Sequence, residues 1–93
     1  MFKTLEELIV IIRKRKKTPL EGSYTNKLLN SKKLSVAKIK EEISELIEAV
    51  EKNTNKVHEA ADVLYHLMVL LEANDIKIED VMDELKKRQN DIR

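Results

Sequence analysis

The sequence predicts an all-α fold, an antiparallel helical bundle built around an αα-hairpin and completed by dimerisation. Three observations predict it. The chain of 93 residues has one Gly and one Pro, both within residues 18–23, so the rest lacks the punctuation that strands and tight turns need. Apolar side chains recur at three- and four-residue steps through most of that remainder. The breaks between these stretches, Lys52-Asn53-Thr54-Asn55 and Asn74-Asp75, are short and polar, as helix-helix connections are. A chain of this length makes a single domain, residues 1–93, near the size at which a subunit interface supplements the core.

The first helix is expected to begin near Thr4, whose hydroxyl caps it while Glu7 closes a capping box, with Leu5, Leu8, Ile9 and Ile12 as its apolar stripe. It ends on the basic run Arg13-Lys14-Arg15-Lys16-Lys17. A loop with local turns is predicted from Thr18 to about Ser31. Ser35 is the expected N-cap of the second helix, in which Val36, Ile39, Ile43, Leu46, Ile47 and Val50 form the stripe and Glu42 borders it. The third helix spans roughly Asn55 to Ala73, and the last follows Asn74-Asp75 with Ile78, Val81, Met82 and Leu85 as its core face.

The third helix carries the dimer expectation. Ala60, Ala61, Leu64, Met68 and Leu71 share one face, yet Val63, Val69 and Leu70 fall on other sides, so the helix must be enclosed all round. A few short helices can hardly surround it and also frame a groove, and a second copy is the simplest missing wall. A strand over residues 63–71 is disfavoured by the flanking helical periodicity.

Composition narrows the function. A net charge of +1 and a pI near 7.9 argue against a dedicated nucleic-acid binder, and Phe2, Tyr24 and Tyr65 are too few aromatics to interleave with the basic run. That run serves the helix dipole or binds phosphate. Without Cys there are no disulfides, thiol nucleophiles or Cys-based zinc sites, and with no charged-then-apolar leader a cytoplasmic protein is expected. Val63–Leu71 is about half the length of a membrane span, so no membrane partner is expected.

Glu42-x-x-Glu45 and Glu59-x-x-Asp62 carry the chemistry. At about 100° per residue, positions i and i+3 share a face, so each pair turns both carboxylates one way. Glu45 and Asp62 are equally distant from the middle of the break, so antiparallel packing is expected to set them at one height, able to share an ion. Four carboxylates crowded in one groove repel, and a hard cation relieves that. Oxygen ligands without Cys, and without His at ligand spacing, select Mg²⁺ or Mn²⁺. His66, one turn after Asp62, can support a carboxylate, while His58 is expected at the surface and Glu41 exposed. Solvated helix faces are the alternative reading of the same acids, which would leave a non-catalytic dimerisation module.

These residues resemble phosphoribosyl-ATP pyrophosphohydrolases of histidine biosynthesis, within the all-α, MazG-like nucleotide pyrophosphohydrolases. The resemblance covers nearly the whole chain: Arg15-Lys16, Glu21-Gly22-Ser23-Tyr24-Thr25 with Lys27-Leu28-Leu29, Lys38 to Glu45, Glu59 to Leu67, and Glu84-Leu85-Lys86-Lys87-Arg88. The acidic pairs mark the superfamily, whereas Gly22-Ser23-Tyr24-Thr25 and Asp62-x-x-Tyr65-His66 mark the histidine branch. Lys40 stands where members commonly carry Gly, and Pro19 lies one residue further from Gly22 than usual. The resemblance implies Mg²⁺-dependent hydrolysis of 1-(5-phosphoribosyl)-ATP to 1-(5-phosphoribosyl)-AMP and pyrophosphate, with Glu42, Glu45, Glu59 and Asp62 as catalytic and metal-holding residues. Arg15, Lys16, Ser23, Tyr24, Thr25 and Arg88 are the implied contacts to the small-molecule nucleotide's phosphates and ribose. The rival within the superfamily is a housekeeping (d)NTP pyrophosphohydrolase. Many relatives are fused to a zinc-dependent phosphoribosyl-AMP cyclohydrolase, for which this chain has no room, so the next step is expected from another protein.

Overall fold

A computed structural model describes residues 1–91, so the last two residues of the expected 1–93 domain lie outside it. Helices α1 (Lys3–Lys17), α2 (Tyr24–Leu29), α3 (Lys32–Lys52), α4 (Lys56–Ala73) and α5 (Ile78–Lys87) are followed by a 3₁₀ turn at Gln89–Asp91. There is no strand among the described residues. The all-α prediction holds.

The α3–α4 hairpin is its centre. Asn53 takes a left-handed conformation (φ 55°) that ends α3, and the Thr54 N–H donates to the Ala49 carbonyl at 2.9 Å, which satisfies the last turn in a Schellman arrangement. The same device ends α4. Asp75 is left-handed (φ 58°) and the Ile76 N–H donates to the Leu71 carbonyl at 2.9 Å. Both polar breaks therefore stop helices by backbone geometry.

α4 touches every other helix. Its Met68 and Val69 meet Ile12 of α1 and Leu28 of α2 in the buried core, with Leu5, Leu8, Ile9, Leu71 and Ile78 packed around them. The core thus gathers on the C-terminal half of α4, which leaves the N-terminal half, with Glu59 and Asp62, free to frame a site.

Several expectations need correction. The segment 18–31 is not all loop, since Tyr24–Leu29 is helical. Six residues are too few to hold a helix alone, and the fully buried Leu28 supplies the packing that does so. Ser31, not Ser35, caps α3: its Oγ accepts from the Leu34 N–H at 3.1 Å, while Ser35 lies buried inside the helix, donating to the Ser31 and Lys32 carbonyls. Helix α1 begins at Lys3, with the Glu6 N–H bonded to the Phe2 carbonyl, so Thr4 is already within the first turn and caps nothing. One expectation stands: a single chain leaves α4 unenclosed, with Ala61 and Leu64 exposed.

Candidate active site

Glu42 and Glu45 face inward from α3 and Glu59 from α4, and the three offer carboxylate oxygens that all lie within 4.8 Å of one another. One oxygen each of Glu42 and Glu59, Oε2 in both, is shut off from solvent without any hydrogen-bond partner. Such orphans are costly and need a donor or a cation. Burial pushes the Glu42 carboxyl above its ordinary range, and its neighbour Glu45 adds to the effect. Glu59 moves the same way, by burial and then by Glu45, while His58 opposes it. An all-oxygen trio with two unsatisfied atoms fits a hard cation.

Asp62 stands slightly apart. It groups with Glu59 and His58, again within 4.8 Å, and its Oδ2 lies 3.4 Å from His58 Nε2. Equal distance from the break therefore did not bring Glu45 and Asp62 into one set. Asp is one methylene shorter than Glu and so reaches less far across the hairpin. The His58 contact also corrects the reading that no His sits at ligand spacing. His58 is exposed, as expected, but it is within reach of two of the acids. Glu41 is exposed and pairs with Lys38 at 3.4 Å.

Helix α2 packs against both α3 and α4. Gly22 has φ +80°, where a side chain would be strained, and delivers the chain to Ser23, whose Oγ accepts from the Asn26 N–H at 3.3 Å as the α2 N-cap. Burial raises the Tyr24 phenol; Lys38 opposes, while Tyr65, Glu42 and Glu41 push the same way as burial. Asn26 was not singled out from the sequence, yet it is buried and fixes the segment: its Oδ1 accepts from the Leu20 N–H and its Nδ2 donates to the Arg15 carbonyl, both at 2.9 Å. Ser23 followed three residues later by Asn26, ahead of Leu28-Leu29, was the available signal.

Two of the residues expected to contact substrate are paired with other side chains in this chain. Lys16 Nζ donates to the Glu72 carbonyl at 2.7 Å and pairs with Asp75 at 2.6 Å, so it is committed to the C-terminal end of α4. That end is about 15 Å along the helix from Asp62 at 1.5 Å per residue. Arg88 follows α5 and pairs with Glu84 at 3.2 Å. Arg15, in contrast, is tethered through its carbonyl to Asn26 of α2.

The fold and the trio define a class, an all-α hairpin protein whose clustered carboxylates could bind a metal ion. Comparison with known proteins narrows it. The family model described as phosphoribosyl-ATP pyrophosphohydrolase matches residues 5–89. The chain is 40% identical to the phosphoribosyl-ATP pyrophosphatase of Methanococcoides burtonii, over 92% of each chain. It is 44% identical to that of Bacillus cytotoxicus, over 99% of this chain and 89% of the relative. It is also 48% identical to the histidine biosynthesis bifunctional protein HisIE of Pyrococcus furiosus, over 91% of this chain but only 41% of that longer protein. The chain belongs to the phosphoribosyl-ATP pyrophosphohydrolase family.

Proposed function

We propose that this chain hydrolyses 1-(5-phosphoribosyl)-ATP at its α–β phosphoanhydride, releasing pyrophosphate and 1-(5-phosphoribosyl)-AMP, with Glu42, Glu45, Glu59 and Asp62 as the working acids. The observation that carries the reading is the inward-facing trio, with its two orphaned oxygens, in a chain of this family. These residues would hold a divalent cation, Mg²⁺ with Mn²⁺ as the alternative. When bound, it would neutralise charge on the phosphates and acidify the attacking water. The carboxylates set the position of that water and one of them accepts its proton. The Ser23–Thr25 segment at the N-terminus of α2, its hydroxyls held by Asn26, His66 and Tyr65, would with Arg15 line the space for the substrate's phosphates and ribose. Lys16 and Arg88, the other two basic candidates, pair with Asp75 and Glu84 and would have to exchange those surface pairs to reach phosphate.

The unit that works is a single domain assembled as a homodimer. Ile43, Ile47 and Val50 are 44%, 54% and 59% exposed on one side of α3, and Leu64 of α4 is 46% exposed, an apolar face that a second copy would cover. The radius of gyration, 14.5 Å, exceeds the about 12 Å expected of a compact chain of this length. No helix among the described residues is long and apolar enough to cross a membrane, and the cytoplasm is the compartment proposed.

A turnover panel tests the function. Phosphoribosyl-ATP, canonical nucleotides and damaged nucleotides are each incubated with the chain and Mg²⁺, and pyrophosphate is measured. Preference for phosphoribosyl-ATP is expected. Faster release from a (d)NTP would replace this reading with the housekeeping one.

A further inference from the structure

Tyr24 and Thr25 are neighbours in sequence at the start of α2, and Tyr65 and His66 are neighbours on α4. The structure pairs them one to one. His66, 7% exposed, donates from Nδ1–H to the Asp62 carbonyl at 2.8 Å. A carbonyl only accepts, so Nδ1 carries a proton, and in the neutral ring the Nε2 lone pair is free. That lone pair accepts the Tyr24 hydroxyl at 3.0 Å. Next to it, Thr25 Oγ1 is hydrogen-bonded to Tyr65 Oη. The rings lock the arrangement: Tyr24 stacks on Tyr65 with centroids 6.4 Å apart, and His66 stands edge-on to both.

This is more directional chemistry than is needed to anchor a six-residue helix that already buries Leu28 completely. Packing fixes how deep α2 sits. Hydrogen bonds fix its rotation, and rotation decides whether the Ser23–Thr25 segment faces the trio. The acids depend on it less, since all four are carried by α3 and α4.

We infer that Tyr65 and His66 are positioning residues for substrate recognition, a latch that sets α2 over the acidic trio and governs how tightly the nucleotide is held while leaving hydrolysis to the carboxylates. The inference rests on the function proposed above. It also joins Gly22-Ser23-Tyr24-Thr25 and Asp62-x-x-Tyr65-His66 as two halves of one device, although nearly forty residues of chain separate them.

Steady-state kinetics on the full chain with phosphoribosyl-ATP and excess Mg²⁺ test it. Tyr65→Phe keeps the stacked ring and removes one hydroxyl; His66→Asn removes the imidazole. Each should raise KM about fivefold, the equivalent of one ordinary hydrogen bond, and leave kcat within about twofold. In the Tyr65→Phe background, Thr25→Val should raise KM by less than it does alone, because its partner is already gone. A merely structural role gives the opposite split, with kcat falling alongside the folded fraction seen by circular dichroism and KM unchanged. That outcome, or additive effects of the two substitutions, overturns the latch. If His66→Asn does not fold, Tyr65→Phe decides alone. If the wild type fails to turn over phosphoribosyl-ATP, the proposed function falls and the latch with it; a wild type that turns over beside variants of normal KM refutes the latch only.

Discussion

Neutralising Glu42 should make the metal-free protein more stable and the metal-loaded protein less so. The carboxylate oxygens of Glu42 and Glu45 lie within 4.8 Å, and one Glu42 oxygen is buried without a partner. Two unit charges about 4 Å apart repel by about 1 kcal/mol in water and about 4 kcal/mol at the effective dielectric of a protein surface. Glu42 is only half-buried as a whole residue, so the lower figure is used. Glu42→Gln keeps the shape and removes the charge. In EDTA it should gain about 1 kcal/mol, a rise in Tm of about 4–8 °C for a domain of this size. With Mg²⁺ at about 100 times Kd the wild type gains about 2.7 kcal/mol by mass action, whereas the variant has lost a ligand and gains much less, so the order of melting reverses. Thermal melts of both proteins at one concentration, in EDTA and in excess Mg²⁺, read this directly. The pH dependence has a matching sign. The Glu42 and Glu59 carboxyls are raised in the folded state, so their contribution to stability is full below the ordinary value of 4.5 and is lost as pH rises through the raised values. In EDTA the wild type should lose its disadvantage to Glu42→Gln as the pH is lowered towards 4.5. A variant that melts below wild type in EDTA, with equal Mg²⁺ shifts for both, would refute the strained cation site.

Glu45→Gln should abolish most turnover without loss of helicity, since it removes a carboxylate near both Glu42 and Glu59 and opens no cavity; pyrophosphate release beside circular dichroism checks this. Sedimentation should show a dimer at micromolar concentration, and a well-folded monomer would defeat the assignment of the exposed Ile43, Ile47 and Val50 to an interface. Asn26→Ala strands the Leu20 N–H and the Arg15 carbonyl and should cost about 1–3 kcal/mol in urea unfolding, with KM rising as the 18–23 segment loosens. The Arg13 guanidinium beside Glu79 holds that carboxyl down to about 2, so the pair contributes above 4.5 and fades as pH falls. The stability gap between wild type and Glu79→Gln should therefore be widest at neutral pH and closed near pH 2, measured by urea titration at several pH values.

The acids were legible in the sequence because helical spacing is a local property: Glu42 with Glu45, and Glu59 with Asp62, share faces whatever the rest of the chain does. The hairpin was legible for a similar reason, since Asn53 and Asp75 tolerate the left-handed backbone that ends a helix. Contacts between elements were not. Whether Asp62 meets Glu45 or His58 depends on side-chain length, which periodicity does not carry. Lys16 sits in a basic run that reads as a phosphate contact, yet it meets the end of α4 because the packing of Ile12 against Met68 and Val69 brings those two helix ends together. Helix α2 escaped notice because its stability comes from the burial of Leu28 against Met68 and Val69 and from the Tyr24–His66 bond, contacts made with residues distant in the chain. Local backbone preference set where the helices run and which way the acids point; only the packed core, by fixing α2 and α4 against each other, decided which hydroxyls and which imidazole stand beside them.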